Sequence, residues 1–175
     1  MTDAVILTGT VGAGKTTTLH ALGAVLAERG VPHARIDADA VRQLHPAPPG
    51  DPFHQELELR HLGALSRSFR DAGARVVLVA AVVERAADVA RYAEALGSRT
   101  PLLVRLTADP DAVRARLDVR HADDADALAW HAARAPELAA VLDAAGLDAV
   151  LIDTTSRTPA EVAAAIADHG RWARP

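Results

Sequence analysis

Three glycines, a lysine and two threonines near the amino terminus have the types and spacing to do chemistry. The run Gly9-Thr10-Val11-Gly12-Ala13-Gly14-Lys15-Thr16 is followed at once by Thr17. Gly9, Gly12 and Gly14 allow a backbone to wrap closely and turn its N–H groups toward anionic oxygens. Lys15 supplies a compact ammonium for terminal phosphates, and the hydroxyl directly after it suits a magnesium ligand. Thr17 offers a further hydroxyl to the phosphate nearest the nucleoside. Together these residues form a complete Walker A sequence, which predicts a site for ATP with Mg2+, with Thr16 as the metal ligand. Of the 19 basic residues, Lys15 is the only lysine, and the rest are arginines. The broad guanidinium fork does not suit a role that needs a point charge, so a chain otherwise emptied of lysine keeps one here.

Other candidates must be brought to that loop by the fold. Asp37 and Asp39 are separated by one residue after a short apolar segment. A carboxylate there can accept a hydroxyl proton during attack on a γ-phosphate, or position magnesium. Asp39 has a second reading, as the N-cap of a short helix. Arg42 is a candidate contact for the phosphate acceptor, or a solvated arginine. Glu56, Arg60 and Arg67 lie on the polar side of a helix, where they line an acceptor pocket or simply face water. Glu84 closes the most hydrophobic segment; it either orients magnesium through water or begins the next helix, where the dipole favours a carboxylate. Trp130 and Trp172 read as packing residues, and the eight histidines show no metal-ligand spacing.

Alternating signals give the scaffold. Ala4–Thr8 reads as a buried strand and Thr16–Arg29 as a helix stopped by Gly30. His33–Asp37 is a second strand and Asp39–His45 a short helix stopped by Pro46. Four prolines between 46 and 52 exclude regular structure from that loop. A helix over Phe53–Ala72 turns Leu57, Leu62, Leu65 and Phe69 inward. Arg75–Val83 suits a central strand buried on both faces. Helix 85–96, strand 101–106, helices 109–120 and 126–145, strand Asp148–Asp153 and helix Pro159–His169 complete the pattern. This rhythm predicts one α/β domain over residues 1–175, a five-stranded parallel sheet with helices on both faces. Strand order is not legible from periodicity.

Composition narrows the class. The chain has 175 residues, a net charge of -4 and 3% aromatics. An acidic balance without a basic stripe argues against nucleic-acid binding, and sparse aromatics argue against a stacking surface for single strands. There are no cysteines, which fits a reducing cytoplasm. No apolar run reaches membrane-spanning length. The oligomeric state is open between monomer and homodimer. A small GTPase would need an Asn-Lys-x-Asp motif, which the absence of a second lysine excludes.

The motifs carry a resemblance. Walker A near residue 10, the Asp37-Ala38-Asp39-Ala40-Val41-Arg42 segment and an arginine-rich helix near 115 resemble the small-molecule kinases. Adenylylsulfate kinase, gluconate kinase, shikimate kinase and chloramphenicol phosphotransferase belong to this group. The resemblance implies transfer of the γ-phosphate of ATP to a hydroxyl of a small molecule, with a short lid over 114–126. It implies Lys15, Asp37 and Arg120 as catalytic residues and Arg116 against the adenine ring. Asp39, Arg42 and Arg60 then stand near the acceptor, and Thr155 lies in the Asp153–Ser156 loop that borders the adenine. The chain departs from adenylylsulfate kinases where they handle the sulfated nucleotide. The proline-rich loop replaces one such segment, and Val83-Glu84-Arg85-Ala86 replaces another. The departures point to a different alcohol, such as an antibiotic or natural product, with a nucleotide-like metabolite such as adenylylsulfate as the other expected acceptor. A slow ATPase switch or assembly factor and a kinase of nucleic-acid ends are the rival expectations.

Overall fold

The computed structural model describes residues 2–147 and 149–172. Five strands, β1 (Ala4–Gly9), β2 (His33–Asp37), β3 (Val76–Ala80), β4 (Leu102–Thr107) and β5 (Val150–Asp153), form one sheet. All neighbouring strands pair in parallel, in the order β2-β3-β1-β4-β5. The central β1 is buried at every residue, as its unbroken apolar run requires of a strand covered on both faces.

Successive side chains of a strand point to opposite faces, so each strand feeds two cores. Val5, Leu7, Leu78 and Val104 pack with Leu19, Leu22 and Leu26 of α1 (Lys15–Glu28) and with Ile166. Ile166 lies on α7 (Pro159–His169), where a capping box between Thr158 and Glu161 starts the helix. On the other face Ile6, Val77 and Val79 meet Leu62 of α3 (Gln55–Asp71) and Tyr92 and Leu96. The last two lie on α4 (Ala86–Leu96). A third, smaller cluster joins Val113 and Leu117 of α5 (Pro110–Arg120) to Ala135 of α6 (Ala125–Ala144), with Val11 of the phosphate loop against it.

Several boundaries differ from the sequence expectation for identifiable reasons. The helix expected over Asp39–His45 is a single turn, α2 (Ala38–Val41). His61 takes the Val41 carbonyl, which a helix continued to His45 would need for itself, and His54 takes the Leu44 carbonyl. α3 starts at Gln55 rather than Phe53 because His54 sits at φ 58, outside the helical region. The Asp51 carboxylate, at the end of the proline-rich loop, accepts the N–H groups of Gln55, Glu56 and Leu57. β3 ends at Ala80, but the chain runs on buried, held by Ala81 N–H to the Leu7 carbonyl and Val83 N–H to Thr8 Oγ1. Asp148, the expected first residue of the last strand, lies outside the described residues; β5 starts at Val150.

Candidate active site

Open parallel sheets bind ligands beyond the carboxyl ends of their strands, where the strand order reverses. The phosphate loop lies there, between the end of β1 and the start of α1. Gly9 has φ 146, and a Cβ on it would stand 2.5 Å from the Leu106 carbonyl oxygen. Gly12 has φ 78, and its Cβ would stand 2.9 Å from Val113 Cγ1. Any side chain would therefore push the loop off β4 or α5 as well as strain its backbone. The first turn of α1 contains no acidic residue, so its positive end is not neutralised from within. Thr10 Oγ1 donates to the Ala135 carbonyl on α6, 2.8 Å away, and ties the loop to that helix.

Lys15 Nζ donates to the carbonyls of Gly9, at 2.9 Å, and Thr10, at 3.0 Å. Burial lowers its pKa from 10.5 to about 8, against the carboxylates of Asp39 and Asp37; the charges of Arg120 and Arg42 add to the lowering. Thr16 Oγ1 donates to Asp37 Oδ2 at 2.8 Å. A hydroxyl and a carboxylate side by side where α1 meets the end of β2 are hard oxygen ligands of the kind Mg2+ takes alongside phosphates.

Asp37 is also the N-cap of α2, accepting the Asp39 N–H at 3.0 Å. The second reading of Asp39, as that cap, is corrected: Asp39 lines the cavity and pairs with Arg42. Arg42 reaches Glu58 at 3.2 Å as well. Glu58 accepts the Tyr92 hydroxyl at 2.6 Å, and its side chain is 1% exposed. Burial raises the pKa of the Glu58 carboxyl, although the Tyr92 hydrogen bond and Arg42 oppose that rise.

The cavity over these groups has a volume of about 890 Å3. Gly12, Gly14, Lys15, Thr16, Thr17 and the expected Arg116 and Arg120 line its phosphate side. Ala13 is fully buried beneath the loop. Arg116 braces two loops, donating to the Gly12 carbonyl and to both oxygens of Thr154. Thr155 Oγ1 accepts the Asp109 N–H and donates to Asp153, which fixes the loop after β5. The expected lid is a helical hairpin, the end of α5 and the start of α6, and Asp124 in its turn caps α6 through the Ala127 N–H. Arg114 faces away and pairs with Asp118.

The acceptor-side expectations fare unevenly. Arg42 and Asp39 are in the cavity wall, but Arg60 is exposed and not part of it. Successive turns carry Glu58 inward with Leu62 and leave Arg60 outside. Glu56 and Arg67 are also exposed, with Glu56 paired to Arg91. Trp172 is buried in the core, whereas Trp130 is 59% exposed on the cavity rim, a correction to the packing role expected of it. Glu84 precedes α4 rather than starting it, faces the cavity and pairs with Arg134 of α6 at 3.1 Å. Glu58, Asp88 and Tyr92 were missed. Their signal was readable: Glu58 shares the apolar stripe of Leu62, Leu65 and Phe69, and Asp88 that of Tyr92 and Leu96.

A sheet ordered β2-β3-β1-β4-β5 and a glycine loop entering α1, with an Asp-x-Asp step beside it, make a P-loop fold. The chain belongs to the adenylylsulphate kinase family, whose sequence profile matches residues 1–138. It is an ATP-dependent kinase of small molecules. Among curated proteins no sequence matches. Solved structures share the fold. A tunicamycin resistance protein of Deinococcus radiodurans is 21% identical, with 100% of this chain and 99% of that one covered and a TM-score of 0.68. A sugar kinase from Janibacter sp. HTCC2649 is 21% identical over 96% of this chain and 94% of that one, with a TM-score of 0.63. A gluconokinase from Sinorhizobium meliloti 1021 is 16% identical over 95% and 94%, with a TM-score of 0.60.

Proposed function

We propose that this kinase transfers the γ-phosphate of ATP to a hydroxyl of a small molecule other than adenylylsulfate, such as an antibiotic or natural product. The observation that carries the reading is the hydrogen bond to Asp37 from Thr16, which lines a cavity extending well beyond the phosphate loop. One end of that space suits the triphosphate, and the other leaves room for a second reactant.

Backbone N–H groups of the loop and the start of α1 hold the phosphates, and Lys15 leaves its loop carbonyls to meet the β- and γ-oxygens. Thr16 would hold Mg2+, which when bound neutralises phosphate charge. Asp37 accepts the proton of the acceptor hydroxyl. The acceptor oxygen forms a bond to the γ-phosphorus as the bond to the bridging oxygen of ADP breaks. Arg120 meets the charge that spreads over the phosphoryl oxygens, and Arg116 keeps the loop after β5 against the nucleotide. Asp39 and Arg42 orient the acceptor. Closure of the α5–α6 hairpin excludes water, which favours transfer over hydrolysis.

The test is transfer of labelled phosphate from ATP to a collection of hydroxyl-bearing compounds, with ADP release measured alongside. Acceptor-dependent labelled product supports the reading. ADP release that no acceptor stimulates would make the protein a slow ATPase instead.

A further inference from the structure

The two halves of the cavity carry unlike charge, and this bears on what the acceptor can be. The inference rests on the reading of the second half as the acceptor site. On the phosphate side the lining cations are Lys15, Arg116 and Arg120. The lining carboxylates, Asp39, Glu58, Glu84 and Asp88, stand on or border the other side. Three arginines line that side, and each is committed. Arg42 is held by Asp39 and Glu58, with the Phe53 carbonyl on the same guanidinium. Arg134 is held by Glu84 and Glu137. Arg85 gives two hydrogen bonds to Asp88, at 2.8 and 3.2 Å, and a third to Gln55. With Lys15 at the phosphate loop, no lysine is left for this half.

Among side chains, an available guanidinium fork or ammonium is the strongest partner for a sulfate, phosphate or carboxylate. Here such an anion would have to break an existing pair and leave a carboxylate of this wall uncompensated, a penalty that rejects wrong partners. The same wall offers apolar surface. Phe53 is 71% exposed and Trp130 59% exposed, and both line the cavity, as do Val82 and Leu138. Large apolar side chains open to solvent within a concave site suit the apolar body of a ligand.

We infer that the acceptor is an uncharged or cationic hydroxyl compound with an aromatic or aliphatic body, and that this site discriminates against anionic acceptors. The acceptor in the family's name, a sulfated nucleotide, falls in the rejected class.

The experiment presents Mg-ATP and the full chain with hydroxyl compounds sorted by formal charge. The panel contains benzene-1,4-dimethanol, 4-(aminomethyl)benzyl alcohol and 4-(hydroxymethyl)benzoate as a matched set. It also contains tunicamycin, larger uncharged and cationic natural products, adenylylsulfate and gluconate. Expected is labelled product from uncharged or cationic members, with every anionic member at least tenfold lower in kcat/KM. Trp130→Ala, at an exposed position, is expected to raise KM for the preferred acceptor several-fold with little change in kcat. Comparable or better turnover of an anionic member overturns the inference and leaves the kinase reading intact. An unchanged KM in Trp130→Ala overturns the apolar contact. Failure of all acceptors, with an ATP analogue still bound, overturns the hydroxyl-transfer reading and this inference with it.

Discussion

Raising the pH should weaken nucleotide binding long before an ordinary lysine titrates. Without nucleotide, burial brings the Lys15 ammonium down to a pKa of about 8. Bound phosphates favour the protonated form, so binding above that pH must take up a proton. At pH 9.5 a group with a pKa of about 8 is roughly 3% protonated, so affinity should fall about 30-fold from its value at pH 7. A lysine left at 10.5 would lose only about a tenth of its affinity over the same range. The assay is calorimetric titration with a non-hydrolysable ATP analogue and Mg2+ between pH 6.5 and 9.5. Lys15→Arg, weaker at every pH because its fork does not fit the loop, should show no such slope. The ligand-free protein gives an independent check. Its Lys15 pKa lies below that of the unfolded chain, so between about 8 and 10.5 the unfolded chain binds more protons and stability rises with pH. The full contribution is about 3 kcal/mol, read as the difference from Lys15→Met. Affinity that stays flat to pH 9.5 would refute the assignment of a depressed pKa to this lysine.

Other outcomes follow from single contacts. Asp37→Asn keeps an acceptor for the Asp39 N–H, so its melting temperature should stay within a few degrees of wild type while phosphate transfer falls at least tenfold and ATP-analogue binding persists. Asp51→Ala removes the acceptor of three backbone N–H groups; it should cost about 2 kcal/mol in urea unfolding and speed amide exchange at Gln55, Glu56 and Leu57. Tyr92→Phe should cost about 1–2 kcal/mol and Glu58→Ala about 3 kcal/mol, and a double-mutant cycle should show coupling between them. Burial, with the neighbouring His121 and Arg120 charges, lowers the His131 pKa. Its contribution to stability should therefore be lost as pH falls below about 6.5, a loss that His131→Gln removes in thermal melts at pH 5 and 7.

What the sequence made legible is what local patterning controls. β1, the phosphate loop, α1 and α7 follow from short-range rules of apolar spacing, glycine placement and helix stops, and their positions agree with expectation to within a residue or two. The Asp37–Thr16 contact could be anticipated because parallel strands deliver their carboxyl ends to one edge. Strand order could not, since β1–β3 and β1–β4 pairing depends on which crossovers pack best. Nor could the ends of α2, which side-chain imidazoles decide from a distant helix and loop. Two ion pairs of the cavity wall, Arg42–Glu58 and Arg134–Glu84, join segments that are distant in the chain. The partners lie 16 and 50 residues apart. No short window of sequence contains both ends of such a pair, so Glu58 announces itself only as an acid on an apolar stripe, whereas Asp88 has Arg85 and Arg91 three residues to either side.

The hydrogen bond from Thr10 to the Ala135 carbonyl spans 125 positions, and that distance has a meaning for how the protein is made. The phosphate cradle is synthesised 125 residues before its tether. Until α6 arrives, the growing polypeptide holds the loop without this tie to its eventual neighbour. Premature termination before residue 135 would thus yield a chain that displays the whole nucleotide signature and lacks this part of the clasp that seats it.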